Sequence, residues 1–201
     1  MDPTLKIFLI RHGETAWSLT GQHTGVTDLP LTTLGEQMAC ALVPVLERQL
    51  FSRVLTSPRL RARSTCAFAG LASMAETVAD LAEWDYGDYE SLRTYEIRKL
   101  RPNWDIWHDG CPGGETPAAV SARADRLIDQ LRGLSGNVAL FSHGQFGRVL
   151  ATRWIGVAAQ EGCHFALDPA SVSILGQDCE HAQRPVITLW NAVPGAGFGA
   201  T

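Results

Sequence analysis

Apolar runs of strand length alternate along the chain with stretches whose apolar positions recur every three to four residues. The runs at 6–10, 53–57, 76–78, 137–142, 171–175 and 186–190 predict six strands. Leu34, Met38, Ala41, Leu42 and Val45 keep helical spacing behind the N-cap candidates Thr32 and Thr33, and Pro44 should kink that helix or move its boundary. The clearest helix spans 117 to about 131. Thr116 can cap it, Pro117 suits its first position, and Val120, Ala124, Leu127, Ile128 and Leu131 share one face. Another helix follows Gly144 to about 155. Strands alternating with helices predict an α/β fold with three α/β/α layers and a mostly parallel central sheet of about six strands. The segment 84–114 breaks the alternation. It is rich in aromatic, charged, Gly and Pro residues, and reads as a loop-and-helix excursion over the sheet edge within a single 1–201 domain. The tail at 194–201 reads as frayed, and its glycines Gly195, Gly197 and Gly199 lack the spacing and following helix of a dinucleotide loop.

Charge and cysteine usage narrow the functional classes. A formal net charge of −4 argues against a nucleic-acid or anionic-membrane surface. No apolar run approaches the ~18–20 residues that span a bilayer. The stretch 1–10 lacks a basic start and its short apolar run ends on Arg11, unlike a signal peptide. Five cysteines (Cys40, Cys66, Cys111, Cys163 and Cys179) are an odd number without a C-x-x-C pair, which predicts free thiols in a reducing, cytoplasmic setting. Of the 17 basic residues only Lys6 and Lys99 are lysine. Genome composition accounts for most of that bias, but arginine is also the side chain that grips an oxyanion bidentately.

In an open α/β sheet, ligands bind beyond the carboxyl ends of the strands. The first predicted strand ends in Arg11-His12-Gly13-Glu14-Thr15. The second ends at Ser57, ahead of Arg59, Arg61 and Arg63. Glu83 follows the third, and Ser142-His143-Gly144 closes the fourth. Two histidines, several arginines and one carboxyl thus reach one edge. Arginine forks match phosphate oxygens, and an imidazole can attack phosphorus. A carboxylic acid can protonate the leaving oxygen and then activate water. Glycines after each histidine should let a bulky anion approach the backbone, and the helix opening at Gly144 should aim N–H groups at it. No metal or other cofactor is needed if the arginines balance the developing charge.

Arg11-His12-Gly13-Glu14-Thr15, Ser57-Pro58-Arg59-Leu60-Arg61-Ala62, Glu83-x-x-Tyr86-Gly87 and Ser142-His143-Gly144, in this order, resemble the phosphoglycerate mutase-like branch of the histidine phosphatase superfamily. The resemblance spans about three quarters of the chain and implies a phosphoglycerate mutase-like fold. It also implies roles. His12 matches the phosphorylated nucleophile, Arg11 and Arg61 the phosphate-pocket arginines, His143 the second pocket histidine and Glu83 the general acid. Thr24 and Gly25 match a loop that meets substrate through its backbone, and Ser57 a residue that supports the pocket. Ser18, Gln22, His23, His108 and Gly144 complete the candidate substrate-binding set. For His23 and His108, substrate contact and ordinary loop polarity both stay open.

The chain departs from the family pattern at two ligand positions. Ser18 stands where many members have Asn after the Trp, and Trp84 stands where the mutases place Arg after the acid. The stretch 90–114 also looks too short for the mutases' basic insertion. The last two differences favour hydrolysis of a small phosphate ester over phosphoglycerate mutation, and Gly21-Gln22-His23-Thr24-Gly25 with Trp104-Asp105-Ile106-Trp107-His108-Asp109-Gly110-Cys111 is similar to the sugar-bisphosphatase-like members of the family. A non-catalytic phospho-ligand sensor is a third reading, and the retained His12, Glu83 and His143 argue against it. A homodimer is common in the family, which leaves the oligomeric state open. His164, His181 and Cys111 read as structural, and Trp104 with Trp107 as a packing face. Arg59 and Arg63 lie off the helical face of Arg61.

Overall fold

A computed structural model describes residues 4–178, 180 and 183–194. His181, Cys179 and the glycines at 195, 197 and 199 lie outside the described residues. The strands are β1 (Lys6–Arg11), β2 (Phe51–Thr56), β3 (Ala75–Thr77), β4 (Asn137–Ser142), β5 (Val172–Asp178) and β6 (Arg184–Ala192). The helices are α1 (Ala16–Thr20), α2 (Thr33–Cys40), α3 (Val43–Leu46), α4 (Leu60–Phe68), α5 (Thr94–Leu100), α6 (Ile106–Asp109), α7 (Pro117–Arg132) and α8 (Gly144–Trp154). The stretch 34–45, expected as one helix, is two. Pro44 cannot donate to a continuing helix, so α2 ends at Cys40 and Pro44 sits in the first turn of α3.

The sheet order is β3-β2-β4-β1-β5-β6. The pairs β2–β3, β2–β4 and β1–β4 are parallel, and β1–β5 and β5–β6 are antiparallel. Along β1, Ile7 and Leu9 face one core while Phe8 and Ile10 face the other, which is the two-residue period of a strand covered on both sides. β4 repeats the pattern, with Val138 and Leu140 on one side and Ala139 and Phe141 on the other. α7 and α8 fill the first side, and α3 and α4 the second. The fold is therefore α/β with helices on both faces of a mostly parallel sheet. The segment 84–114 sends Trp84, Trp104 and Trp107 into the first core, so the two tryptophans three residues apart pack against protein.

The chain emerging from β1 is clamped against α2. Thr32 caps α2 through the Gly35 N–H and also donates its hydroxyl to Glu14. A Cβ on Gly35 would lie 2.1 Å from the Glu14 carbonyl oxygen, and one on Gly13 would lie 2.4 Å from the Gly35 carbonyl oxygen. Two glycines are thus required for the backbones to cross. Gly35→Ala should cost roughly 1–3 kcal/mol through overpacking and lower Tm by several degrees. Leu34→Ala, at an exposed neighbour, should change stability by less than about 0.5 kcal/mol. Equal melting temperatures for the two variants would contradict the close crossing.

Candidate active site

Arg11 and Ser142 are partners in the β1–β4 register, so the two strands end level. The His12 N–H donates to the Ser142 carbonyl (3.0 Å), and the Ser57 N–H donates to the Phe141 carbonyl (2.9 Å). His12, Ser57 and His143 therefore leave β1, β2 and β4 side by side, with the two imidazole centroids 5.2 Å apart. A cavity of about 150 Å³ opens onto His12. It is lined by Arg11, His12, Ser18, Gly21, Gln22, His23, Thr24, Glu83, Tyr86, Gly144, Gln145 and Arg148.

His12 Nδ1 is 2.7 Å from the carbonyl oxygen of its neighbour Gly13. A carbonyl only accepts, so Nδ1 carries the proton and Nε2 keeps its lone pair. Burial, then the charges of Arg61 and Arg11, hold the ring well below its ordinary pKa. His143 is pushed down likewise by burial first, then Arg61 and His12. Its Nε2 meets the Ser57 hydroxyl at 2.7 Å, and that hydroxyl already accepts the Arg59 N–H. Both imidazoles are neutral at neutral pH.

Glu83 is held by backbone. Its Oε1 accepts the N–H groups of Trp84 and Phe146 (2.8 Å each), and its Oε2 accepts that of Gln145 (3.1 Å). The N–H groups opening α8, expected to meet a bound anion, are given instead to this carboxyl, a favourable charge at a helix N-terminus. Oε2 has a single partner. Arg123 fixes the backbone beneath. It donates to the carbonyls of Asp80, Ala82 and Glu83, pairs with Glu115 at 2.7 Å and lies over the Phe146 ring.

Three guanidiniums surround this arrangement. Arg11 donates to the Leu167 carbonyl. Arg61, fully buried, donates to the carbonyls of Thr24 (2.9 Å), Gly25 (3.1 Å) and Thr27 (3.0 Å), tying the 24–27 loop to α4. Arg148 stands one turn into α8. Buried polar atoms are normally paired. Yet Nε of Arg11, Arg59, Arg61 and Arg148, Nδ1 of His143 and Oε1 of Gln145 are buried without a hydrogen-bond partner. Apart from Gln145 Oε1 these are nitrogens on cationic or neutral donors, the groups that oxyanion recognition uses.

Most of the predicted residues meet in this place, and several serve differently than expected. Ser18 lines the cavity, but its hydroxyl completes a capping box with Thr15 at the start of α1. The Gln22 side chain is committed at both ends, to Ser91 and Thr20. His23 stacks on Tyr86 at 4.5 Å, and burial brings it down to about 4. Gly25 is outside the cavity, its N–H given to Glu90. Gly13 was expected to open room for an anion, but it makes room for Gly35, and its N–H goes to Thr65. Gly144 admits the Arg11 guanidinium, 3.4 Å from where a Cβ would stand. His108 does not join the site. α6 buries Ile106 and Trp107, which leaves His108 exposed beside Asp105. Arg59 and Arg63 do not line the cavity either, and neither do Arg61 and His143, whose side chains are fully buried. Sequence reasoning missed Arg148, Gln145 and Arg123, and gave Tyr86, which stands in the Glu83-x-x-Tyr86-Gly87 motif, no role in the site. The available signals were the helical offset of four from Gly144 to Arg148 and the offset of three from Glu83 to Tyr86.

A family model for the histidine phosphatase superfamily (branch 1) matches residues 7–193. An acid phosphatase of Mycobacterium tuberculosis is 43% identical over 189 residues, covering 92% of this chain and 91% of its own. Sedoheptulose 1,7-bisphosphatase of Saccharomyces cerevisiae is 36% identical over 192 residues, covering 80% and 71%. A solved open reading frame product of Mycobacterium tuberculosis superimposes with a TM-score of 0.88 at 39% identity, covering 94% of this chain and 98% of that one. The chain belongs to branch 1 of the histidine phosphatase superfamily. Within it, the chain is a phosphoric monoester hydrolase.

Two expectations follow from this geometry. The unfolded chain protonates its histidines near 6.5, whereas His12 and His143 resist protonation to well below that and His23 to about 4. Below pH ~6.5 the unfolded state binds more protons, so stability is full above that pH and falls as pH drops. Urea denaturation at pH 7.5 and 5.0 should show the loss, and His23→Asn should show less of it. Constant stability across that range in the unsubstituted protein would contradict neutral burial. Arg61→Lys cannot reach three loop carbonyls. It should lose roughly 1–3 kcal/mol of stability and raise KM, and unchanged Tm and KM would contradict the loop-tying role.

Proposed function

We propose that the chain hydrolyses small phosphorylated metabolites through a phosphohistidine intermediate on His12. The reading rests on one observation: the Gly13 carbonyl at 2.7 Å fixes the proton on His12 Nδ1, so that the nucleophilic nitrogen is Nε2. A neutral imidazole among guanidiniums needs no deprotonation before it attacks. Its Nε2 lone pair forms the P–N bond as the P–O bond to the leaving group breaks. Protonated Glu83 gives its proton to that oxygen through Oε2. Arg11, Arg61 and His143 hold the phosphoryl oxygens, their charge replacing water around the developing anion. In the second half, the Glu83 carboxylate takes a proton from water as its oxygen attacks phosphorus. The P–N bond breaks, the electron pair returns to Nε2, and inorganic phosphate leaves.

The cavity volume suits a phosphoryl group with only a few atoms of its ester, so the leaving group extends through the mouth. The names of the acid phosphatase and sedoheptulose bisphosphatase relatives support sugar phosphates and bisphosphates as the substrate class. The four described cysteines are free, which supports a reducing, cytoplasmic setting. Among the described residues no helix is long and apolar enough to cross a membrane.

His12→Ala should abolish phosphomonoesterase activity, and Glu83→Gln should lower kcat roughly 10²- to 10⁴-fold, with less loss for esters whose leaving group needs no proton. Full activity in His12→Ala would overturn the mechanism. With 3-phosphoglycerate and a bisphosphate primer, free phosphate should accumulate. Production of 2-phosphoglycerate without phosphate would assign a mutase instead.

A further inference from the structure

Glu83 belongs to no helix or strand. It stands in irregular chain just after a short turn at Ala79–Leu81, so no backbone ladder fixes it. Yet proton transfer needs the acid within about 2.6–3.2 Å of the oxygen it protonates. One side chain supplies the missing support. Arg123, on α7, spends all five of its N–H groups on protein. Nη1 donates to the carbonyls of Asp80 and Ala82 (2.8 Å each). Nη2 donates to the Glu83 carbonyl (3.3 Å) and to Glu115 Oε2 (2.7 Å), and Nε to Glu115 Oε1 (2.9 Å). Among the described residues, the Ala82 and Glu83 carbonyls meet no other donor. Arg11, Arg61 and Arg148 differ, since each leaves a buried Nε unpartnered.

The same guanidinium controls what flanks the acid. Glu115, its ion-pair partner, accepts the Asp85 N–H on Oε2 and the Trp84 indole N–H on its carbonyl (3.0 Å each). The chain is thus gripped on both sides of Glu83. The guanidinium also lies over the Phe146 ring, 4.3 Å from its centroid, while the Phe146 N–H donates to Glu83 Oε1 at 2.8 Å. Arg123 therefore holds the backbone that carries the acid and the residue that grips its carboxyl. It does not line the cavity, and its pairing with Glu115 leaves no net charge beneath the acid. What it sets is position.

We infer that Arg123 is a positioning residue for the general acid, holding Glu83 against the leaving oxygen through the Glu115 pair and the Phe146 ring. A displaced Glu83 leaves the attack of His12 intact and loses proton delivery. The damage then depends on how much the leaving group needs a proton, which a merely structural role would not produce. This deepens the hydrolytic reading of the His12 cavity and rests on it.

The test compares phenyl phosphate, whose leaving oxygen needs a proton, with 2,4-dinitrophenyl phosphate, whose leaving group departs as a stable anion. The ratio of their kcat/KM values, phenyl over dinitrophenyl, is measured within one enzyme, so loss of folded protein cancels. Glu83→Gln should lower that ratio roughly 10²-fold or more. Arg123→Gln should lower it roughly 10- to 10²-fold, and Arg123→Lys should recover part of it. Glu115→Gln, at a partly exposed position, should lower it as well and replaces Arg123→Gln if that variant does not fold. With the ratio lowered in Glu83→Gln, an unchanged ratio in Arg123→Gln or its replacement overturns the positioning role, including the case in which both esters lose activity equally. An unchanged ratio in Glu83→Gln, or no hydrolysis of either ester by the unsubstituted protein, overturns the general-acid reading and the positioning role with it.

Discussion

β1 and β4 run parallel and in step, with Arg11 opposite Ser142 and the His12 N–H donated to the Ser142 carbonyl, and the site depends on that register. A slip of one residue would turn every side chain of a strand to the opposite face. It would exchange Ile7 and Leu9 for Phe8 and Ile10 between the two cores and carry Arg11 and His12 out of reach of His143. Burial on both faces makes such a slip prohibitive, so the hydrophobic pattern that builds the sheet also sets the distance between the two imidazoles. The neighbouring β2 adds Ser57 by the same logic, through its N–H on Phe141.

The positive charge collected at this edge would be hard to hold without the carboxyl at its centre. Glu83 faces three guanidiniums and the N-terminal turn of α8 together, and Arg123 anchors the backbone on which it sits. The protein's overall charge of −4 is thus compatible with one small, focused, positive cavity. Arginine is suited to the work. Arg61 reaches three carbonyls of one loop with a planar fork, which the single ammonium of a lysine cannot do.

Much of this was legible in the chain itself. The strands, α7 and α8 follow from period and caps, because those signals are local. The residues at the strand ends could be paired by asking what each strand delivers to one edge. The antiparallel direction of β5 was not legible, since a strand's apolar run does not encode which way it pairs. Arg123 escaped because its position depends on how α7 docks against the chain at 80–83, which no spacing within the helix records, whereas Arg148 was signalled only by its helical offset from Gly144. His108 misled for a related reason. Its loop does lie near the site, but the turn that buries Ile106 and Trp107 points it outward. Gly13 looked like an opening for a ligand, and the partner that requires it is Gly35, distant in sequence.

In the proposed mechanism the Gly13 carbonyl commits Nδ1 of His12 as a donor and leaves Nε2 as the attacking atom. Phosphoenzyme formed in a brief turnover, quenched in alkali to preserve the P–N bond and analysed by ³¹P NMR and peptide mapping, should carry phosphate on Nε2 of His12. Phosphate on Nδ1, or on any other residue, would contradict it.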